Sequence, residues 1–90
     1  MVSRKVTILN PSGLHLRPAG NLCKEAIRYQ SKVELIYGDG NTANAKSVLS
    51  ILGACVKFGD EVEYRCTGPD EEACLDALTA LTEDGFGEEE

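Results

Sequence analysis

Apolar residues recur every second position in some stretches of the chain and at helical spacing in others. Val6 and Ile8 alternate with Lys5, Thr7 and Leu9, the mark of a first strand with one face on a core. Asn10-Pro11-Ser12-Gly13 breaks that pattern as a turn or loop. From Arg17 onward Ala19, Leu22, Cys23, Ala26 and Ile27 form a helical stripe, with Pro18 suited to the first turn and an end expected near Tyr29. Val33, Leu35 and Tyr37 alternate as a second strand. Gly38-Asp39-Gly40-Asn41 then predicts a hairpin into a short third strand near Thr42–Asn44. Ser47 stands at the N-cap of a short helix carrying Val48, Leu49, Ile51 and Leu52. Val62, Tyr64 and Cys66 make a fourth alternating strand. Asp70, Glu71 and Glu72 suit the positive end of a last helix, whose stripe is expected at Ala73, Cys74, Ala77, Leu78 and Leu81.

The element order β-α-β-β-α-β-α predicts an α+β fold. We expect an open-faced two-layer sandwich, a four-stranded antiparallel sheet covered on one face by three helices. Ninety residues make one domain, with residues 82–90 expected to fray as an acidic tail. The longest nearly apolar run, Val48 to Val56, falls well short of the roughly 20 residues a membrane span needs. The N-terminal segment lacks a signal-peptide core, so a cytoplasmic protein without membrane insertion is expected.

Charge adds an asymmetry. Eight of the nine basic residues lie before residue 59, whereas twelve of the fifteen acids follow it. An acidic domain with no Trp argues against nucleic acid as a partner, but a basic face meeting an acidic protein remains open. Cys23, Cys55, Cys66 and Cys74 lack C-x-x-C spacing and have one histidine to join them. They read as reduced, mostly buried small hydrophobes, with no metal and no cofactor expected.

The candidate chemistry lies in Gly13-Leu14-His15-Leu16-Arg17-Pro18-Ala19, where the only histidine stands just before a helix. Unpaired amides and the helix dipole make that spot receptive to an anion. A neutral imidazole there carries a nucleophilic ring nitrogen. Arg17 offers paired donors to phosphate oxygens. A histidine at a helix start also occurs as an ordinary polar terminal residue. One nucleophile with an anion cradle suits a stoichiometric carrier of a phosphoryl group better than a stand-alone enzyme.

This segment resembles the active-site signature of the HPr family, the histidine-containing phosphocarriers of the bacterial sugar phosphotransferase system. Lys46-Ser47-Val48-Leu49 resembles the family's second, serine-centred signature, and length and element order fit from about Arg4 to Leu81. The resemblance implies that His15 accepts phosphate on Nδ1 from enzyme I and donates it to sugar-specific enzyme IIA domains. Arg17 would stabilise the phosphoryl oxygens, with Ser12 and the amides near Leu16 and Arg17 as further candidates. It also implies Ser47 as a regulatory phosphorylation site for an ATP-dependent HPr kinase/phosphorylase, a transcriptional regulator as a further partner, and a monomer. Four positions depart from the family pattern: Leu16 replaces a small residue, Gly20 replaces Ala or Thr, and Ala54-Cys55 replaces Leu-Gly.

Leu14, Leu16, Val48, Leu49 and Leu52 cannot all enter so small a core. They are expected, with Gly20, to form an apolar docking face ringed by Arg17, Lys24, Arg28 and Lys46. The alternatives are a regulatory or nitrogen-type relative, or an adaptor that binds proteins without chemistry.

Overall fold

A computed structural model describes residues 1–87. Its elements are β1 (Val2–Thr7), α1 (Leu16–Ala26), β2 (Lys32–Tyr37), β3 (Asn41–Asn44), α2 (Val48–Gly53), β4 (Glu61–Thr67) and α3 (Glu71–Glu83). A single 3-10 turn, Gly85–Gly87, follows. The strands form one antiparallel sheet in the order β1-β4-β2-β3. The register puts Val6 opposite Val62, and both Val33 and Val2 opposite Cys66, so one sheet face is apolar. The other carries Lys5 opposite Glu63, and the Glu34 carboxylate accepts from Arg65 Nε at 2.9 Å. This is the open-faced sandwich that the alternation predicts.

The core joins Ile8, Leu22, Val33, Leu35, Ile51, Tyr64 and Leu78, all essentially without exposure. Burying a side chain such as Leu22 is worth about 2–3 kcal/mol. In α1 the buried residues are Pro18, Ala19, Leu22 and Ala26. Ile27, expected in the same stripe, is instead the C-cap residue and is exposed. Gly20 lies on the outer side, where an added Cβ would meet nothing within 4 Å. Gly20→Ala is therefore expected to stabilise the fold by about 1 kcal/mol, read as a rise of roughly 4–8 °C in melting temperature.

The last helix departs most from expectation. Its buried residues are Cys74, Leu75, Leu78, Thr79 and Thr82, whereas Ala73 is exposed and Ala77 and Leu81 are half-buried. Threonine can face the core because its hydroxyl finds partners there. Thr79 and Thr82 donate to the carbonyls of Leu75 and Leu78 at 2.8 Å, and Thr82 Oγ1 lies 2.7 Å from the Tyr64 hydroxyl. A pattern built on apolar residues alone misses that rotation of the helix.

The expected fraying from residue 82 does not hold over the described residues. The helix runs to Glu83, Phe86 is fully buried, and Asn21 Nδ2 donates to the Phe86 carbonyl at 2.7 Å. One aromatic ring outweighs the charges around it. Residues 88–90 of the expected tail lie outside the described residues.

The cysteines also divide. Cys66 and Cys74 are buried, Cys23 is half-buried and Cys55 is exposed. Cys55 takes the left-handed conformation, φ 53°, just after the α2 cap residue Ala54, so a non-glycine residue ends this helix in a glycine-like geometry.

Candidate functional site

Residues 8–15 carry the chain from the sheet to the start of α1. Ile8 is held across from the β4 approach: its amide donates to the Asp60 carbonyl, and its own carbonyl accepts from Gly59. The turn that follows is organised by Asn10, a buried residue. Its Nδ2 donates to the Gly13 carbonyl at 2.7 Å and to Ser12 Oγ at 3.4 Å, while its carbonyl accepts from the Gly13 amide at 3.1 Å. Gly13 has φ +65°, and a Cβ there would lie 2.7 Å from the Val56 carbonyl oxygen and 2.8 Å from Lys57 Cα. No side chain fits in that space. Leu14 then enters the core, 2% exposed, and its amide donates to the Val56 carbonyl at 2.9 Å.

Leu14 is thus an anchor and not part of a docking face. Gly13 by close approach and Leu14 by its hydrogen bond hold the loop against the segment leading into β4, and the next side chain, His15, is turned outward and exposed. It is the N-cap of α1, with extended backbone at φ −99° and ψ −161° and no side-chain capping bond. Its carbonyl accepts from the Ala19 amide at 2.9 Å, starting the helical ladder.

The amides of Leu16 and Arg17 precede any intrahelical partner, and Pro18 has none to offer. The first turn contains no acidic residue. An anion beside His15 would therefore meet two backbone donors, the positive helix end and the exposed Arg17 guanidinium. Ser12 is exposed on the turn just before them.

Ser47 caps α2 as expected: its Oγ accepts from the Ser50 amide at 3.2 Å. Ser50 Oγ in turn accepts from the Asn44 amide, and Asn44 Oδ1 accepts from Lys46 N, both at 2.9 Å. Lys46, expected on the rim of the docking face, is half-buried. Its Nζ donates to the Tyr29 carbonyl at 2.7 Å, closing the end of the α1 segment.

The helices α1 and α2 pack on each other. Leu16 is 68% exposed and Leu49 82%, whereas Val48 and Leu52 are half-buried against the core. Leu16, Gly20, Lys24 and Ile27 fall at spacings of three and four, so they share one face of α1. Arg28 is exposed, with its guanidinium 3.2 Å from Glu25. The outward apolar members are thus Leu16, Ile27 and Leu49. The helical stripe alone places Ile27 in the core, although its spacing from Leu16 fits this face equally well. In the sequence Asn10 reads only as a turn former. Asparagine leading a Pro-Ser-Gly turn was the available signal for its positioning role. Among the described residues no group of three or more His, Cys, Asp or Glu could hold a metal ion.

The family profile described as "PTS HPr component phosphorylation site" matches residues 2–84. The chain is 38% identical over 89 residues to the phosphocarrier protein HPr of Treponema pallidum, covering 99% of this chain and 100% of that one. It is 36% identical to the phosphocarrier protein NPr of Escherichia coli, across 98% of both. Its fold superposes on the crystal structure of HPr-C-His from Thermoanaerobacter tengcongensis with a TM-score of 0.93 at 36% identity, over the full length of both chains.

Proposed function

The chain belongs to the HPr family of phosphotransferase-system phosphocarriers, and from that premise we propose that His15 takes a phosphoryl group from phosphorylated enzyme I and hands it to enzyme IIA domains in sugar uptake. The observation that carries this reading is the exposed imidazole at a helix start without acids, beside Arg17.

The Nδ1 lone pair attacks phosphorus while the donor's bond to phosphorus breaks and its electron pair leaves with enzyme I. Nε2 keeps its proton throughout. The three phosphoryl oxygens then face the amides of Leu16 and Arg17, the Arg17 guanidinium and, at the edge, Ser12. In the second transfer the acceptor on enzyme IIA attacks the same phosphorus and the P–Nδ1 bond breaks. Each partner docks on the face of Leu16, Ile27 and Leu49 with Arg17 and Lys24, as a transient complex with a cytoplasmic monomer. Incubation with enzyme I and phosphoenolpyruvate, then with an enzyme IIA domain, tests the relay. Label passing through this protein to the second partner is expected. Label that never leaves enzyme I would exclude it.

Similarity to an NPr favours one second reading, a nitrogen-type relay. Competition between sugar-type and nitrogen-type acceptors for the phosphorylated protein separates the two, the faster acceptor naming the branch.

Ser47 is the proposed regulatory site, phosphorylated by an HPr kinase/phosphorylase, with a transcriptional regulator as reader of the product. A phosphate there adds about −1.5 to −2 charges at a helix start that tolerates them, next to the docking face. Ser47→Asp keeps a capping oxygen for the Ser50 amide. We therefore expect a melting temperature within a few degrees of the parent, and transfer from enzyme I slowed about tenfold by like-charge repulsion. Stopped-flow transfer kinetics check this.

A further inference from the structure

We propose that Cys66 and Cys74 form a covalent modification site: a buried dithiol that closes to an internal disulfide by exchange with a low-molecular-weight disulfide. Their sulfurs lie 3.6 Å apart, each being the other's hydrogen-bonding partner. Both side chains are without exposure. Cys66 is the penultimate residue of β4 and Cys74 the fourth of α3, so one bond would tie strand to helix across the turn that joins them. A disulfide needs its sulfurs about 2.05 Å apart, so the pair must close by roughly 1.5 Å.

While the helix is closed the thiols are inert. Burial raises both, and Cys74 is pushed up to about 12. Access is short, however: Thr67, Pro69, Glu72 and Ala73 are all exposed, within one to three residues of one thiol or the other. Opening of the first turn of α3 brings the pair to solvent.

The exchange proceeds in two displacements. One protein thiol loses its proton, and its thiolate attacks a sulfur of RS–SR, expelling RS⁻, which takes up that proton. The second protein thiol, deprotonated in turn, attacks the protein sulfur of the mixed disulfide and expels the other RS⁻. Two protein S–H bonds are lost, one S–S bond forms, and the reagent leaves as two RSH. The site lies at the far end of β4 from the histidine loop, about 17 Å along the strand from Glu61. Oxidation should therefore stiffen the fold and leave phosphoryl transfer alone.

The test uses the full chain with Cys23→Ala and Cys55→Ala, which removes the two more accessible thiols. It is incubated with oxidised glutathione, with and without subdenaturing urea to open α3. Expected is a mass lower by two hydrogens, a peptide linking residues 66 and 74, and a melting temperature raised by about 10 °C for so short a loop. Dithiothreitol should reverse all three, with transfer from enzyme I unchanged in either state. Two thiols that stay free in both conditions, or stable glutathione adducts without the 66–74 link, would overturn the proposal. So would a cross-link that does not raise the melting temperature.

Discussion

His15→Ala is expected to abolish phosphoryl acceptance from enzyme I, a loss of more than about 10⁴-fold, with folding stability changed by no more than about 0.5 kcal/mol. Both halves follow from the same geometry. This is the chain's only histidine, so no second imidazole can substitute. Its side chain is exposed and makes no capping bond, so its removal leaves no cavity and no orphaned partner. The anion donors around it survive the substitution, because two are backbone amides and the third is Arg17. A variant that still docks with enzyme I but takes no label would separate the carrier from an adaptor. Transfer assays and thermal melts on the same preparation check both halves. An unfolded variant would contradict the outward placement of a ring that makes no capping bond.

Gly13→Ala should damage the site from a distance. The methyl would stand 2.7 Å from the Val56 carbonyl oxygen and 2.8 Å from Lys57 Cα, both backbone atoms that cannot swing aside. The residue must also hold φ +65°, which costs an L-residue about 1–2 kcal/mol before any clash. Adding the repacking penalty, a loss of roughly 2–4 kcal/mol is expected. The melting temperature should fall by about 10–20 °C. The relief available to the chain is to lift residues 13–14 off the approach to β4, which withdraws Leu14 from the core and re-aims His15. Transfer below the melting temperature should therefore drop although every reacting group is present. The contrast with Gly20→Ala is internal: one glycine sits against backbone, the other faces open space, and the two substitutions should move stability in opposite directions.

Much of this was legible in the sequence because period and punctuation agree. Val62, Tyr64 and Cys66 alternate without interruption and are buried as read. Ser47 followed by an apolar run identified its own cap, and the lone histidine before Pro18 identified the helix start where it lies. What was not legible depended on pairing in three dimensions. Thr79 and Thr82 look like surface residues until carbonyls one turn back and the Tyr64 hydroxyl satisfy them. Phe86 stands among acids and glycines, and only the space left between α1 and α3 makes it a core residue. Lys46 reads as a fully solvated cation, and only the folded chain brings the Tyr29 carbonyl to its ammonium. Leu14 and Leu16 flank the same histidine with equal hydropathy. The packing of Gly13 on residues 56–57 is what sends one inward and the other out.

The outward ring of His15, at an acid-free helix start, is the proposed phosphoryl acceptor. The most direct measurement is to phosphorylate the protein with enzyme I and phosphoenolpyruvate, then locate the group by mass spectrometry and by phosphorus and nitrogen NMR, keeping the sample from acid. One acid-labile phosphoryl group per chain, on Nδ1 of His15, is the predicted result. A label that survives acid, or that maps to any other residue, would contradict it.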